Sequence, residues 1–227
     1  MNKFQVIVAD PPWIFSDRLT MSEVARGAEA NYSVMTMRDI KDLPISQYAD
    51  PNGSVLALWV PSSLLQDGLD TMKAWGYTHK QTYVWVKTKK DPFKSTVSEV
   101  AKAAKDGLKQ GKTIKSIVSS ALSQFDLNDL FSFGMGRLFR QTHEIALIGT
   151  NNNGIYKLLK NKSQRSVSNA PNLKHSAKPD DIQKSLELMF PDTTKLELFA
   201  RRKLDGWTCL GNEVCDGEDI RDSLAKL

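Results

Sequence analysis

The sequence predicts an α/β fold in which a mainly parallel, doubly wound sheet carries helices on both faces. Two observations predict it. Short runs of β-branched and aromatic residues recur along the 227 residues, and helical patterns separate them. The runs are apolar almost throughout, as is typical of strands covered on both faces. Alternating strands and helices indicate parallel strands joined by crossovers, and ligands of such sheets bind beyond the strands' carboxyl ends.

Five segments have the composition of buried strands, and each is bounded by turn or helix signals. They are "FQVIVA" from Phe4, "SVLALWV" from Ser54, "QTYVWVK" from Gln81, "HEIALIGT" from His143 and "KLELFA" from Lys195. Five strands in one sheet are enough to organise a domain of this length, so we expect a single domain over residues 1–227.

Two helices between these strands have recognisable ends. Ser62 or Ser63 can cap a helix that Gly76 stops, because a serine hydroxyl satisfies a free backbone N–H and glycine tolerates the left-handed conformation. Pro179 opens a second helix, which ends before Pro191, because proline fits the first turn of a helix and interrupts later turns.

Residues 92–132 break the alternation and predict a helical, basic insert. Apolar residues recur there at helical spacing in two sets, with Gly107 and Gly111 between them. From Lys87 to Lys115 the chain has nine lysines and three acidic residues. The insert is interpreted either as a packing or oligomerisation hairpin or as an element that recognises a nucleic-acid target, and the lysines favour the second interpretation.

Composition narrows the class of protein. The formal net charge is +5 and the pI is about 9.1, which favours an anionic partner such as nucleic acid. Cys209 and Cys215 have no zinc-like spacing and are predicted to be free thiols, while three scattered histidines make a metal cluster improbable. No apolar run approaches the roughly 20 residues that cross a bilayer, so we expect a soluble, cytoplasmic protein without membrane partners.

The first strand ends in an unusual way, in "VIVADPPWIF" from Val6. Two prolines after Asp10 give a rigid turn, and the carbonyl oxygens of this turn are expected to be free to accept hydrogen bonds. Asp10 and the Pro11 carbonyl can together accept both hydrogens of an amino group, and Trp13 offers a flat face to a ring. The group suits an exocyclic amine on a planar heterocycle, although Asp-Pro-Pro also occurs in ordinary turns.

Most of the chain resembles a known family. "ADPPW" is similar to the catalytic motif of S-adenosylmethionine-dependent adenine-N6 methyltransferases, and the remainder resembles the DPPW branch, which includes the catalytic subunit of the messenger-RNA adenosine methyltransferase and small bacterial and phage enzymes. Seven further blocks occur in the family's order: "NYSVMTMRDIKDLPI" from Asn31, "LALWVPSSLL" from Leu56, "WGYTHKQTYVWVKT" from Trp75, "HEIALIGT", "HSAKPDDI" from His175, "KLELFARR" from Lys195 and "GWTCLGNE" from Gly206.

The resemblance implies a set of site residues. Its catalytic motif corresponds to Asp10, Pro11, Pro12 and Trp13. The acceptor base would meet Tyr32, Glu144 and Lys178, although Tyr32 can equally be an ordinary loop residue and Glu144 a solvated charge. The cofactor would meet Asp10, Ser176, Lys178, Arg201, Lys203, Asn212 and Glu213. Lys203 is the weaker assignment, because the family often has a proline and a histidine after the arginine and this chain has Arg-Lys-Leu.

The resemblance also implies a Rossmann-like methyltransferase sheet and a reaction. A methyl group would pass from S-adenosylmethionine to the N6 amine of adenine by direct in-line displacement, with S-adenosylhomocysteine as product and no metal. The short chain is more similar to the DNA-modifying relatives. The alternatives are RNA adenosine methylation and a catalytically silent nucleic-acid-binding subunit. A homodimer or a partner subunit is compatible with either activity.

Overall fold

The structure is a computed structural model that describes residues 3–14, 35–123, 125–134, 136, 138–172 and 177–227. Its strands are β1 (Val6–Ala9), β2 (Val55–Val60), β3 (Thr78–Thr88), β4 (His143–Thr150), β5 (Val167–Pro171), β6 (Lys195–Leu198) and β7 (Thr208–Leu210). Its α-helices are α1 (Met37–Lys41), α2 (Leu65–Ala74), α3 (Lys94–Lys109), α4 (Ile114–Ser123), α5 (Asp181–Met189) and α6 (Ile220–Ala225). No described helix has the length and apolar character needed to cross a bilayer.

The seven strands form one sheet in the order β5-β3-β4-β2-β1-β6-β7. Strand β1 pairs in parallel with β2 and with β6, and β6 pairs in parallel with β7. Strand β4 is antiparallel to β2. The five predicted strands and the α/β, doubly wound class are confirmed, whereas β5 and β7 were not predicted. Strand β5 alternates between half-buried and exposed residues, and β7 has only three residues, so neither forms the continuous apolar run of a central strand.

Both predicted helices form, but their beginnings differ from the prediction. Neither Ser62 nor Ser63 caps α2. The two serines lie in a 3₁₀ turn over Ser62–Leu64, and α2 begins one turn later without a side-chain cap. The helix ends as predicted, with Gly76 at φ +81° after Trp75. Helix α5 begins at Asp181 and not at Pro179, and Asp180 is the residue that precedes its first turn.

The sheet has two covered faces because successive side chains on a strand alternate in direction. One face packs Ile7, Leu56, Leu58, Leu147 and Leu196 into a core with residues of α1, α2 and α6. The alternating positions on the central strands face the other way. On that second face Gln183 of α5 hydrogen-bonds the side chain of Glu197 on β6, so α5 covers it.

The chain forms two compact units. The larger contains residues 1–84, 144–167 and 180–227, and the smaller contains residues 85–143 and 168–179. In the smaller unit α3 and α4 pack together as a helical hairpin, with Gly111 at φ +72° in the turn between them. The ends of this excursion are tied together, since the backbone N–H of Lys87 donates to Thr142 O (2.8 Å) and that of Lys89 to Leu130 O (2.9 Å).

The topology of the larger unit identifies one edge as a place for ligands. The chain leaves β1 toward β2 on one side and leaves β6 toward β7 on the other. Because β1 and β6 are parallel neighbours whose outgoing connections diverge, a crevice for a ligand is expected between their carboxyl ends. We call the residues there, Asp10, Glu197, the turn 199–201 and Gly211, the β1/β6 edge.

Candidate active site

The turn after β1 is held rigidly. The backbone N–H of Asp10 donates to Leu198 O at the end of β6 (3.4 Å), and the N–H of Trp13 donates to Pro11 O (2.9 Å). The Pro12 carbonyl accepts from the N–H of Met35 (3.3 Å). The proline carbonyls are therefore not free, contrary to expectation, although a carbonyl oxygen has a second lone pair.

The Trp13 side chain is buried and belongs to the core, with only 4% of its surface exposed. Its indole N–H donates to the carbonyl of Trp59 on β2 (2.9 Å). This bond ties the turn after β1 to the neighbouring strand, so the indole anchors the Asp-Pro-Pro turn in this conformation. Its contact with an acceptor base stays a prediction.

The turn after β6 is strained and tightly approached by the end of β7. Phe199 has φ +61°, a left-handed conformation that is uncommon for a residue with a side chain. The N–H of Ala200 donates to Leu210 O (2.8 Å), and a Cβ on Gly211 would lie 2.3 Å from Ala200 O. Only glycine allows this approach, so the two loops form one shaped unit beside Asp10.

Glu197 is a carboxyl group inside the sheet. It pairs in register with Val8 on β1 and Cys209 on β7, and its Oε1 accepts from Gln183 Nε2 (3.1 Å). Its Oε2 is buried and has no hydrogen-bond partner among the described residues. Burial raises the pKa of this carboxyl from 4.5 to about 7, the bond from Gln183 opposes the rise, and the negative charge of Asp10 adds to it.

The turns after β6 and β7 bring several predicted residues together. Arg201 Nε lies 3.8 Å from Glu213 Oε1, and both side chains are partly exposed. Asn212 is exposed, and its carbonyl accepts from Gly217 N (2.8 Å). Lys203 is also exposed, on the turn after β6. The cation and the carboxylate that the resemblance implied therefore lie at the same edge as Asp10.

Of the other predicted site residues, Glu144 and Lys178 are described by the structure. Glu144 is the second residue of β4, and its neighbour Ile145 pairs with Val60 at the carboxyl end of β2, so Glu144 lies at the same edge of the sheet as Asp10. Lys178 belongs to the smaller unit and is half-buried. Tyr32 and Ser176 lie outside the described residues.

The donor set at this edge suits an organic cation better than a metal. Within the described ranges no three His, Cys, Asp or Glu side chains are grouped as metal ligands. The Asp10 carboxylate follows the carboxyl end of β1, and the Arg201 guanidinium lies on the turn after β6, so an anionic and a cationic side chain occur at the same edge. A ligand with an ammonium or sulfonium centre and a carboxylate would find Asp10 for the cation and Arg201 for the anion.

Comparison with known proteins gives the family. The MT-A70 family model matches residues 4–129 and 122–213, which is nearly the whole chain. This chain belongs to the MT-A70 family.

The MT-A70 relatives are distant in sequence. A protein of Oryza sativa named probable N(6)-adenosine-methyltransferase MT-A70-like is 26% identical over 216 residues, which cover 94% of this chain and 23% of the rice protein. The human N(6)-adenosine-methyltransferase catalytic subunit METTL3 is 25% identical over 228 residues (98% and 30%). The type II methyltransferase M.MunI of Mycoplasma sp is 22% identical over 232 residues (96% and 80%). The chain thus spans about a quarter of the length of the first two relatives and most of the third's.

Two residues of the candidate site were not recognised in the sequence. Glu197 is an acid within the apolar run "KLELFA", which is the one local signal that it serves more than packing. Gly211 follows "WTCL" directly, where the next strand ends, but its close approach to Ala200 depends on the tertiary fold. Neither spacing nor composition indicated that Glu197 bonds Gln183 or that Gly211 approaches Ala200.

Proposed function

We propose that this protein is an S-adenosylmethionine-dependent methyltransferase that acts on the N6 amine of adenine in DNA. One observation carries the proposal. Asp10 emerges from β1 at the crevice where β1 and β6 diverge, on a turn fixed by two prolines and by the bond from Trp13 to Trp59. An acceptor held so rigidly at a ligand crevice suits a reaction that depends on positioning an amine.

The same edge suits the cofactor. Arg201 would hold its carboxylate, Asp10 its cationic groups, and Asn212 and Glu213 its ribose and adenine. Lys178 and Ser176 remain proposed cofactor residues by resemblance alone. Bound S-adenosylmethionine supplies a methyl group on an electron-poor sulfur.

The proposed role of the protein's own residues is to position and polarise the amine. The adenine amine is a poor nucleophile because its lone pair is delocalised into the ring. The Asp10 carboxylate and the second lone pair of the Pro11 carbonyl would accept its two hydrogens, which localises the lone pair for attack on the methyl carbon. As the carbon–nitrogen bond forms, the bond from the methyl carbon to the sulfur would break, and the amine would then give up one proton by way of the Asp10 carboxylate to solvent. In a duplex the base must first leave the stack, and Glu144, Tyr32 and Lys178 are proposed to receive it.

DNA is favoured because of the relative that matches this chain in length. The matched segment covers 80% of the type II methyltransferase M.MunI and at most 30% of the adenosine methyltransferases. The adenosine methyltransferases favour RNA as the second candidate. An intact Asp-Pro-Pro-Trp motif is expected of an active subunit and not of a silent one.

The experiment is methyl transfer from labelled S-adenosylmethionine to unmethylated duplex DNA, single-stranded DNA and RNA, with nucleosides identified by mass spectrometry. N6-methyladenine in DNA supports the proposal, and product in RNA alone replaces it with the second candidate. Cofactor binding without any product indicates a missing partner subunit, which the name of the human relative makes reasonable. Absence of cofactor binding would refute the methyltransferase assignment itself.

A further inference from the structure

The α3–α4 hairpin carries a cluster of cations that the proposed chemistry does not use. Helix α3 contains Lys94, Lys102, Lys105 and Lys109, and all four are exposed. At 3.6 residues per turn their side chains fall within an arc of about 80° on the helix surface. We call these four residues the lysine face.

The acidic residues of α3 lie outside the arc of the lysine face. Glu99 and Asp106 line the groove between α3 and α4, together with Ile117 of α4. None of the four lysines has an ion-pair partner among the residues that the structure describes. The lysine face is therefore an uncompensated row of cations that can contact an external anion without breaking an internal ion pair.

The dimensions of the row suit a phosphate backbone. From Lys94 to Lys109 the helix rises about 22 Å, and one strand of duplex DNA carries a phosphate every 3.4 Å or so of its axis. Four flexible lysines over that length can contact several successive phosphates. A small anion would need converging side chains, and these are spread along a helix.

The composition of α3 argues against base reading. The helix contains no Arg, Asn or Gln, whose planar groups present two hydrogen-bonding atoms to one base edge in fixed geometry, whereas a lysine is a point charge on a flexible chain. The only other side chain within the arc is that of Ser98. We propose that the lysine face binds the phosphate backbone of the nucleic-acid substrate without reading its sequence. The inference rests on the proposed function only in naming that substrate.

The test compares two variants of the full chain with equal loss of charge. One replaces Lys102, Lys105 and Lys109 by Gln, a good helix former. The control replaces the exposed lysines Lys73, Lys80 and Lys184, which lie on α2, β3 and α5. Binding to two duplexes of unrelated sequence is followed by fluorescence anisotropy at several salt concentrations.

We expect the α3 variant to bind both duplexes at least about tenfold more weakly near 0.1 M salt and to lose about three from the slope of log affinity against log salt. The control should keep the parent slope within about one. Equal losses in the two variants, or no loss in the α3 variant, would overturn the inference. A third variant with Arg at all three positions should restore binding, which excludes misfolding as the cause.

The readouts separate this inference from the proposed function. The α3 variant should bind S-adenosylhomocysteine like the parent in calorimetry, and its methyl transfer should show a raised KM with kcat preserved. If neither parent nor variants bind S-adenosylhomocysteine or methylate any substrate, while the substitutions in the lysine face still weaken nucleic-acid binding, the proposed function fails and the inference stands. If the protein methylates DNA but the substitutions in the lysine face leave the affinity for both duplexes unchanged, the proposed function stands and the inference fails.

Discussion

The β1/β6 edge and the α3–α4 hairpin treat charge in opposite ways. At the edge, Asp10 and Glu197 are close enough for their charges to interact, and one carboxyl oxygen is buried without a partner. On the hairpin, four lysines stand in solvent on one side of a helix. Buried charge is costly and must be positioned by rigid backbone, whereas exposed charge costs little and works through long-range attraction. The β1/β6 edge is therefore suited to catalysis, and the hairpin is suited to attracting an anionic partner.

The largest effect is expected when Asp10 is removed, which tests whether the β1/β6 edge carries the chemistry. Asp10→Ala should lower kcat/KM for methyl transfer by about 10²–10³, because a preorganised acceptor at the reacting amine is lost. Nucleic-acid binding by anisotropy should stay within about twofold. Steady-state kinetics measures the loss of kcat/KM, and Asp10→Asn serves as the shape-matched control. Activity of Asp10→Ala near the parent level would remove Asp10 from the chemistry.

The second test concerns the buried carboxyl. The folded protein keeps a proton on Glu197 up to about pH 7, whereas the unfolded chain loses it near pH 4.5. The folded state therefore binds more protons between these values, and this group lowers the free energy of unfolding as the pH rises from 4.5 to 7. The full penalty, about 3 kcal/mol, is present above pH 7.

Glu197→Gln should remove that penalty. We expect the variant to be more stable than the parent at pH 8 and about equal to it at pH 4.5, in urea unfolding followed by circular dichroism. Lys102→Gln serves as a control whose difference from the parent is the same at both pH values. A constant difference for Glu197→Gln would mean that the carboxyl titrates normally.

The third test probes the approach of β7 to the turn after β6. Gly211→Ala places a Cβ 2.3 Å from Ala200 O and should cost about 1–3 kcal/mol of stability. It should also weaken S-adenosylhomocysteine binding in calorimetry, since the turn shifts. Gly206→Ala is the matched control: it has φ +77° but open space around its Cβ, so it should cost about 1 kcal/mol and leave ligand binding intact.

The smallest effect on stability is expected at Arg201. Its partly exposed ion pair with Glu213 contributes less than about 1 kcal/mol, so Arg201→Gln should unfold at nearly the parent urea concentration. Affinity for S-adenosylhomocysteine should nevertheless fall about tenfold, because a charged partner of its carboxylate is lost. Arg38→Gln, which breaks the exposed pair with Asp42, should change neither quantity. Unchanged affinity in Arg201→Gln would mean that the carboxylate binds elsewhere.

The fold could be predicted from the sequence because strands and helices are indicated by patterns of neighbouring residues. Five continuous apolar runs and their flanking helices identify a doubly wound sheet, and a strand that ends in Asp10 must present that residue at the carboxyl edge. The additional residues of the edge depend on tertiary contacts. Gln183 and Glu197 meet across the packing of α5 on β6, and Gly211 meets Ala200 only after β6 and β7 pair. Likewise Ser62 resembles a cap, but a 3₁₀ turn intervenes.

The bonds that join Lys87 to Thr142 and Lys89 to Leu130 bear on the length of the chain between them. They close the long excursion between β3 and β4 at its base, and the strands on either side are neighbours in the sheet. The entropy of closing such an excursion grows only slowly with its length, so segments of quite different size can be exchanged at this point. Excursions of different length at this point would therefore leave the sheet and its β1/β6 edge in place.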